Sequence, residues 1–459
     1  MTTEGAPEIL LLDGDYDNTL QIAKELSRDL GARIAGVGTA RFSRLFFSRY
    51  CDESVILPEP GGAEYESALL SALRERRPDL VLPVGYDSTA ALDSIRRRVP
   101  DEVALPLPPS DALEVAVDKR KTLALAADHG IDVPADYTEG AAGRDGRSSG
   151  SPDPEASSFP LFLKLRRETG ETVSARVASP EEFPDAYDEL DREAGGRELL
   201  VQECVDGDGR TYACGLCFVD GDPKLAFDHV ELRSVPPRGG SGTRLRTHPD
   251  PDLEAFSTEL LSDLGWNGVA LVEYRRTADG YVLMEINPKF WASYALASQC
   301  GYRFASTLVA ETLDIPGPTD APPRAERGER VFPLREFAYC LRHFPDESLT
   351  DAALAMLWPP ARPDVNVEDL LAWVIPPGAA GGASTRVRWA LNALGRTSDP
   401  GRSETDLPRP PEGTRRRRDS PRGVRPRSDH PGGDHPQSEA PLDRGASRSE
   451  WASAAPEND

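Results

Sequence analysis

The sequence is poor in lysine. Of 53 basic residues in a chain of 459, six are lysines: Lys24, Lys119, Lys121, Lys164, Lys224 and Lys289. Where arginine is so strongly preferred, each retained lysine asks for a reason, because an ammonium is a compact point charge and a guanidinium a planar fork. Long apolar runs are also missing, which excludes a membrane-spanning helix. The first residues, MTTEGAPEILLLDGD, carry no basic leader segment, so the expectation is a cytoplasmic protein. Six cysteines form no repeated CxxC set, which points away from a zinc site or a disulfide framework. Cys204, Cys214 and Cys217 lie in apolar stretches and read as small core residues. The six histidines show no HExxH spacing, and no Ser-His-Asp arrangement supports hydrolase chemistry. There is no G-x-G-x-x-G; the first strand instead runs into DGDYDN, with acids where a dinucleotide pyrophosphate would sit.

Negative charge is abundant. The formal net charge is −24, and residues 401–459 balance eleven Arg against eleven Asp and Glu. The acidic excess therefore lies on residues 1–400. Such a surface repels nucleic acid and anionic membranes, and it suits solubility in concentrated salt, a halophilic composition.

Strand and helix signals alternate through the first 115 residues. Apolar runs at 8–12, 32–37, 54–57 and 80–84 are separated by helical stretches at 18–30 and 63–77. This predicts an α/β domain with a parallel sheet, whose ligands bind beyond the carboxyl ends of the strands. LDGD (12–15) and VGYDS (84–88) fall there, although for each residue singly a turn or cap role is the better reading. DKRKTLALAADHG (118–130) predicts a helix ended by Gly130. The polar stretch 139–158 reads as a loop. Strands follow at 161–165, 199–203, 212–219 and 224–228, then a helix at 252–264 and a hairpin of 269–274 with 281–287. This part predicts α+β with antiparallel pairs. Residues 331–374 read as helical. Beyond 397 the chain holds almost no large apolar residue and reads as a disordered tail. The expected domains are 1–115, 116–315, a helical extension 316–396 and the tail 397–459.

The hairpin VALVEYRRTADGYVLMEINPKFW carries the strongest chemical signal. If TADG closes the turn, Glu273 falls opposite or next to Glu285, and Asn287 shares the face of Glu285. Val282, Met284 and Ile286 would point into a core. Two carboxylates and an amide oxygen on one polar spot fit a hard cation, and magnesium favours carboxylates combined with substrate phosphates. The bland alternative is a solvated strand face. Lys164 stands alone in the apolar run FPLFLKL and needs either a phosphate or solvent. Lys119 sits just inside a helix start, where cations are disfavoured, and a bound polyphosphate would remove the conflict. LLVQECVDGDGR is a strand running into a Gly/Asp turn; its backbone suits an adenine edge, and a surface hairpin is the alternative. His229 reads as structural or as a substrate contact.

The order Lys, Lys, hinge strand, Glu, Glu-x-Asn resembles the ATP-grasp superfamily over residues 8–310. MEINPKFWASYALA is similar to the superfamily's Glu-x-Asn-Pro-Arg block, and DKRKTLALAADHGIDVP to its Asp-Lys helix. Within it, the resemblance is to carboxylate–amine ligases such as carbamoyl-phosphate synthase and biotin carboxylase subunits. The resemblance implies a pre-ATP-grasp domain followed by an ATP-grasp domain. It implies ATP with Mg²⁺, or Mn²⁺ in its place, as cofactors. Lys119 and Lys164 would hold the phosphates. Gln202 would face the adenine amino group, backbone of Glu203 and Val205 would complete that contact, and Asp208 would take the ribose. Glu273, Glu285 and Asn287 would bind the metal. Lys289, where the superfamily usually has Arg, would contact the phosphoryl group or the substrate. The stretch SVPPRGGSGTRLR (234–246) reads as a flexible substrate loop in which Arg238 and Arg244 hold a carboxylate. RRETGE, after Lys164, has a single Gly where many relatives carry a Gly-rich lid. The implied activity is acylphosphate formation followed by amine attack, with small-molecule acid and amine partners and a possible homodimer. The rival readings are a phosphoryl transferase without an amine acceptor and a non-catalytic nucleotide sensor or scaffold.

Overall fold

The computed structural model describes residues 5–138, 159–168, 173–235, 241–318, 328–331, 336, 340, 361–363 and 367–374. The expectations for 139–158 and for the tail from 397 lie outside the described residues. Strands Glu8–Leu11 (β1), Arg33–Gly38 (β2), Glu53–Ile56 (β3) and Leu80–Leu82 (β4) form a parallel sheet in the order β3-β2-β1-β4. Ile9, Leu10 and Leu11 are all fully buried, because the sheet is packed on both faces and β1 needs no polar alternation. Helices Asp17–Asp29 (α1), Ala63–Arg76 (α2) and Tyr86–Ile95 (α3) connect the strands. The LDGD and VGYDS turns are tied together: the Asp13 carboxylate accepts from Val84 N, Gly85 N and Ser88 Oγ at 2.9, 2.7 and 2.5 Å. Asp13 is thus a turn builder.

Two helices follow, Ser110–Val117 (α4) and Lys119–Asp128 (α5). Only the second is marked in the sequence. Asp118 separates them and caps α5, its side chain accepting from Arg120 N at 3.1 Å. A small antiparallel sheet has the order β6-β5-β7, from Leu161–Leu165 (β5), Ser174–Val177 (β6) and Leu199–Glu203 (β7). Helix Phe183–Ala194 (α6) packs on one face against Leu161, Leu163, Leu199 and Val201. By alternation, Phe162, Lys164, Leu200 and Gln202 take the other face.

The large sheet contains Thr211–Val219 (β8), Asp222–Val235 (β9), Ser241–Thr247 (β10), Gly268–Arg276 (β11) and Tyr281–Asn287 (β12). Helix Pro251–Asp263 (α7) covers its back with α4 and α5. Helices Tyr294–Gln299 (α8) and Phe304–Leu313 (α9) cover part of its front, where they also meet α1. Two short strands, Glu329–Val331 (β13) and Ala361–Pro363 (β14), extend the sheet to the order β12-β11-β8-β9-β10-β13-β14. Helix Leu370–Val374 (α10) lies against the turn Arg44–Phe47.

Three readings need correction. Residues 331 and 361–363 are strand and not helix, since β10 offers an edge to β13 and β13 offers one to β14. The stretch 234–246 is largely β9 and β10 paired antiparallel, with 236–240 outside the described residues. Finally, a bulge at Met284 shifts the β12 register, pairing Tyr274 with Leu283 but Glu273 with Glu285. Leu283 and Ile286 therefore enter the back core, while Val282, paired with Arg275, does not. Cys214 and Cys217, though spaced as CxxC, enter opposite cores from β8 and cannot share a metal.

Candidate functional site

The hairpin places Glu273 directly opposite Glu285. Side chains so paired stand about 5 Å apart, and two charges there repel. Asn287 Nδ2 donates to Glu285 Oε1 at 3.2 Å. The cations supplied by other elements converge on the same spot. Lys119, at the start of α5, is 7% exposed and lies 3.4 Å from Glu285. Lys164 reaches over from the small sheet and donates to Met284 O at 3.4 Å. That carbonyl belongs to the bulged residue, which has no Cα partner across β11. The two sheets thus face one another across this site, with Lys164 on one wall and the glutamates on the other.

The charges separate the two carboxyls. Burial opposes ionisation of Glu285, but Lys119 and Lys164 outweigh it and hold this carboxyl below the usual carboxylate range. Burial and then the charge of Glu285 push Glu273 well above that range. The two carboxyls are thus driven in opposite directions, Glu285 toward the ionised form and Glu273 away from it. Burial brings Lys164 down to about 8. Burial also acts against the charge on Lys119, but Glu285 and Glu168 together raise it.

Glu168 is the member the sequence reading missed. It lies 3.4 Å from Lys119 and 3.4 Å from Lys289, placing a carboxylate between two ammoniums. Its segment is held by neighbours. Arg166 grips Asp118 at 2.7 Å, Arg167 grips Glu114 at 2.6 Å, and Glu168 N donates to Val117 O at 2.9 Å. No spacing rule announces such a residue; its relevance appears only when α5, β5 and the end of β12 come together. A polyphosphate seeking the same lysines must compete with this carboxylate. The expected result is that Glu168→Gln tightens ATP binding about three- to tenfold, within the ~1 kcal/mol scale of a partly exposed ion pair. Calorimetric titration with an ATP analogue measures it; weaker binding in the variant would show that Glu168 orders the lysines instead.

The remaining expected site residues lie nearby or apart as follows. Gln202 is 2% exposed on the cleft face of β7, and its Nε2 has no partner among the described residues. Glu203 N donates to Ala135 O at 2.9 Å, so that N–H is already used, while Val205 follows half-buried. Asp208 accepts from Tyr212 OH at 2.6 Å and from Arg210 N at 3.0 Å. Arg244 is paired with Glu329, and Arg238 lies outside the described residues. The loop Phe290–Trp291 is buried, and α1 fixes it: Asn18 Nδ2 donates to Phe290 O at 3.2 Å and Trp291 O at 3.4 Å. Gly215 on β8 admits the Trp291 ring, which approaches to within 2.3 Å of where a Cβ would stand. Among the described residues no cluster of three His, Cys, Asp or Glu is arranged to hold a metal, so any cation site here needs the amide of Asn287 or the ligand's own oxygens. No described helix is long and apolar enough to cross a membrane.

The parallel-sheet domain and the two facing antiparallel sheets have the same fold as solved ATP-grasp structures. Solved structures bear this out. The chain is similar to the biotin carboxylase of Campylobacter jejuni in complex with β,γ-ATP, with TM-score 0.56 and 14% identity over 70% of this chain and 74% of that one. It is similar to an N5-carboxyaminoimidazole ribonucleotide synthetase in its ADP complex, with TM-score 0.55 and 14% identity over 73% and 84%. It also resembles the biotin carboxylase domain of the 2-oxoglutarate carboxylase of Hydrogenobacter thermophilus, a dimer with MgADP, ADP and bicarbonate, with TM-score 0.54 and 12% identity over 70% and 73%. No family model and no curated protein matches the sequence.

Proposed function

We propose that this chain is an ATP- and magnesium-dependent ligase that activates a carboxylic acid as its acylphosphate and joins it to an amine. The observation that supports this best is the cross-strand pair Glu273–Glu285, with Lys119 3.4 Å from Glu285 and Lys164 reaching Met284 O from the facing sheet. Two facing carboxylates and an amide oxygen fit a divalent cation, which would offset their mutual repulsion and neutralise phosphate charge. Glu273, Glu285 and Asn287 would hold it. Lys119, Lys164 and Lys289 would orient the phosphates, and Gln202, with backbone of Glu203 and Val205, the adenine. Asp208 is the ribose candidate. A carboxylate oxygen of the acid substrate takes the γ-phosphoryl group, giving acylphosphate and ADP. The amine nitrogen then bonds to the acyl carbon, inorganic phosphate leaves and the amine loses a proton. The chain's part is positioning and charge stabilisation. A homodimer, such as the Hydrogenobacter domain forms, is part of the proposal, as is a cytoplasmic location.

Hydroxylamine tests the reading, because it traps acylphosphates as hydroxamates in place of the natural amine. With Mg-ATP and a panel of carboxylic acids, the expected result is hydroxamate formation and ADP release that both require one class of acid. ADP release that ignores every acid would favour a phosphoryl transferase of another kind. Nucleotide binding without turnover would favour a sensor.

A further inference from the structure

His229 and Trp291 form a second polar feature on the front of the large sheet. Ala213 pairs with Glu273 on one side and with His229 on the other, so Glu273 and His229 point to the same face. Two strand spacings, about 10 Å, separate them. Trp291 covers Gly215, two residues along β8 from Ala213. His229 is 1% exposed and Trp291 2% exposed, and His229 Nδ1 and Trp291 Nε1 both lack a partner among the described residues. A buried polar atom left unpaired costs about 1–3 kcal/mol, so two on one face require an account.

Ser293 fixes which proton the imidazole carries. Its Oγ lies 2.7 Å from His229 Nε2, and Ser293 itself is 4% exposed. If Nε2 donated, the serine proton would need a further acceptor, and no other side-chain bond of Ser293 Oγ occurs among the described residues. If the serine donates, its hydroxyl and Nε2 are both satisfied and the proton sits on Nδ1. Burial also holds the imidazole down to about 4, so it is neutral near pH 7. The unpaired atoms are then both N–H donors, His229 Nδ1–H and Trp291 Nε1–H. Meanwhile Arg233 pairs with Glu336 and Arg244 with Glu329, and Arg330 donates to Ala295 O and Gln299 Oε1.

We propose that His229 and Trp291 are the positioning residues for the acid substrate, donating two neutral hydrogen bonds to its carboxylate. This rests on the ligase reading above. Neutral donors suit the role. They orient one oxygen without neutralising the group, so the other oxygen keeps the electron pair that attacks the γ-phosphoryl group. They also reject a ligand with no acceptor, which would leave both donors unpaired in a dry site.

Nuclear magnetic resonance of the full chain, with ¹⁵N in its histidines and tryptophans, tests this with acetate as probe. The protein is first saturated with Mg²⁺ and a non-hydrolysable ATP analogue. The expected result is an Nδ1–H tautomer at His229 and a saturable acetate shift of both N–H signals. His229→Gln keeps an amide within reach of Ser293 but removes the Nδ1 donor, and should weaken acetate about tenfold. His229→Asn sets an amide nitrogen near the Nδ1 position and should recover most of that loss. A purely structural His229 would give the opposite ranking, since Gln preserves the Ser293 contact. An Nε2–H tautomer, or acetate affinity unchanged in His229→Gln, overturns the proposal. So does acetate that fails to perturb nucleotide-loaded protein. If the analogue itself fails to bind the unsubstituted chain, the ligase reading falls with it.

Discussion

Replacing Glu285 by Gln is expected to leave the chain folded and to stop turnover. The substitution keeps volume and the position opposite Glu273, but it removes the carboxylate that Lys119 and Lys164 hold below the usual range. Lys119 keeps Glu168 as a partner at 3.4 Å, while Lys164 loses the charge that most helps it hold its proton. The cost of setting two carboxyls opposite one another is also relieved, so the two effects oppose and the melting temperature should change little. Catalysis has no such compensation. Losing a preorganised charge contact typically costs about a hundred- to a thousandfold in kcat, and a cation bridging the site would lose its strongest ligand. Linkage gives a second reading of the same variant. The pKa of Glu273 is raised in the folded ion-free protein, so its stabilising contribution is fully present below the ordinary unfolded carboxylate pKa and is lost as pH rises from there through the folded value. A cation that takes the proton's place must release it. Magnesium binding to the unsubstituted protein should therefore liberate protons, and Glu285→Gln, which lowers the demand on Glu273, should liberate fewer. Steady-state turnover and calorimetry in two buffers of different ionisation enthalpy measure both effects. Unchanged Mg-ATP turnover in the variant would remove Glu285 from the metal site.

Much of this site is legible in the sequence because it is local. A two-stranded hairpin with TADG at its tip restricts the pairing of Glu273 to Glu285 or its neighbour, and the bulge at Met284 decides between them. The bulge itself has no sequence marker: Met284 sits in an unbroken apolar run, and only the approach of Lys164 to its carbonyl shows what the irregularity accommodates. The parallel sheet is legible for a similar reason, since strands buried on both faces must be continuously apolar. What escapes the sequence is whatever depends on distant segments meeting. Glu168, 49 residues from Lys119 and 121 from Lys289, is one such case. Strands β13 and β14 are another: at three residues each they have no periodicity to detect, and they exist because β10 leaves an edge for β13 and β13 in turn an edge for β14. Arg244 shows the converse. Its sequence context suggests a free guanidinium in a loop, yet the strand it occupies delivers it to Glu329.

Lys164→Ala should weaken ATP binding far more than Lys224→Ala. Lys164 lies between the sheets, where burial alone would cost it its proton and where Glu285 is the charge that most helps retain it. Its hydrogen bond to Met284 O is long at 3.4 Å, a weak hold that a phosphate oxygen readily replaces. Lys224 instead pairs with Glu311 at 3.0 Å on the surface, both side chains more than a quarter exposed, where a charge is worth little. Removing a desolvated phosphate contact costs about 1.5–3 kcal/mol, or roughly ten- to a hundredfold in affinity; Lys224→Ala should be indistinguishable from the unsubstituted chain. Lys164→Arg discriminates further. It restores the charge but brings a wider planar group into a space shaped for an ammonium, so affinity should recover only in part. The pH dependence follows from the same burial. With the Lys164 ammonium held down to about 8, ATP affinity should fall as pH rises through that value, because the phosphate binds the charged form. Lys164→Arg, whose guanidinium does not titrate there, should lose this dependence while Lys164→Ala lacks both the affinity and the slope. Titrating a non-hydrolysable analogue into the four proteins at pH 7 and pH 9 separates the cases. Equal affinities throughout would place Lys164 toward solvent and move the nucleotide elsewhere.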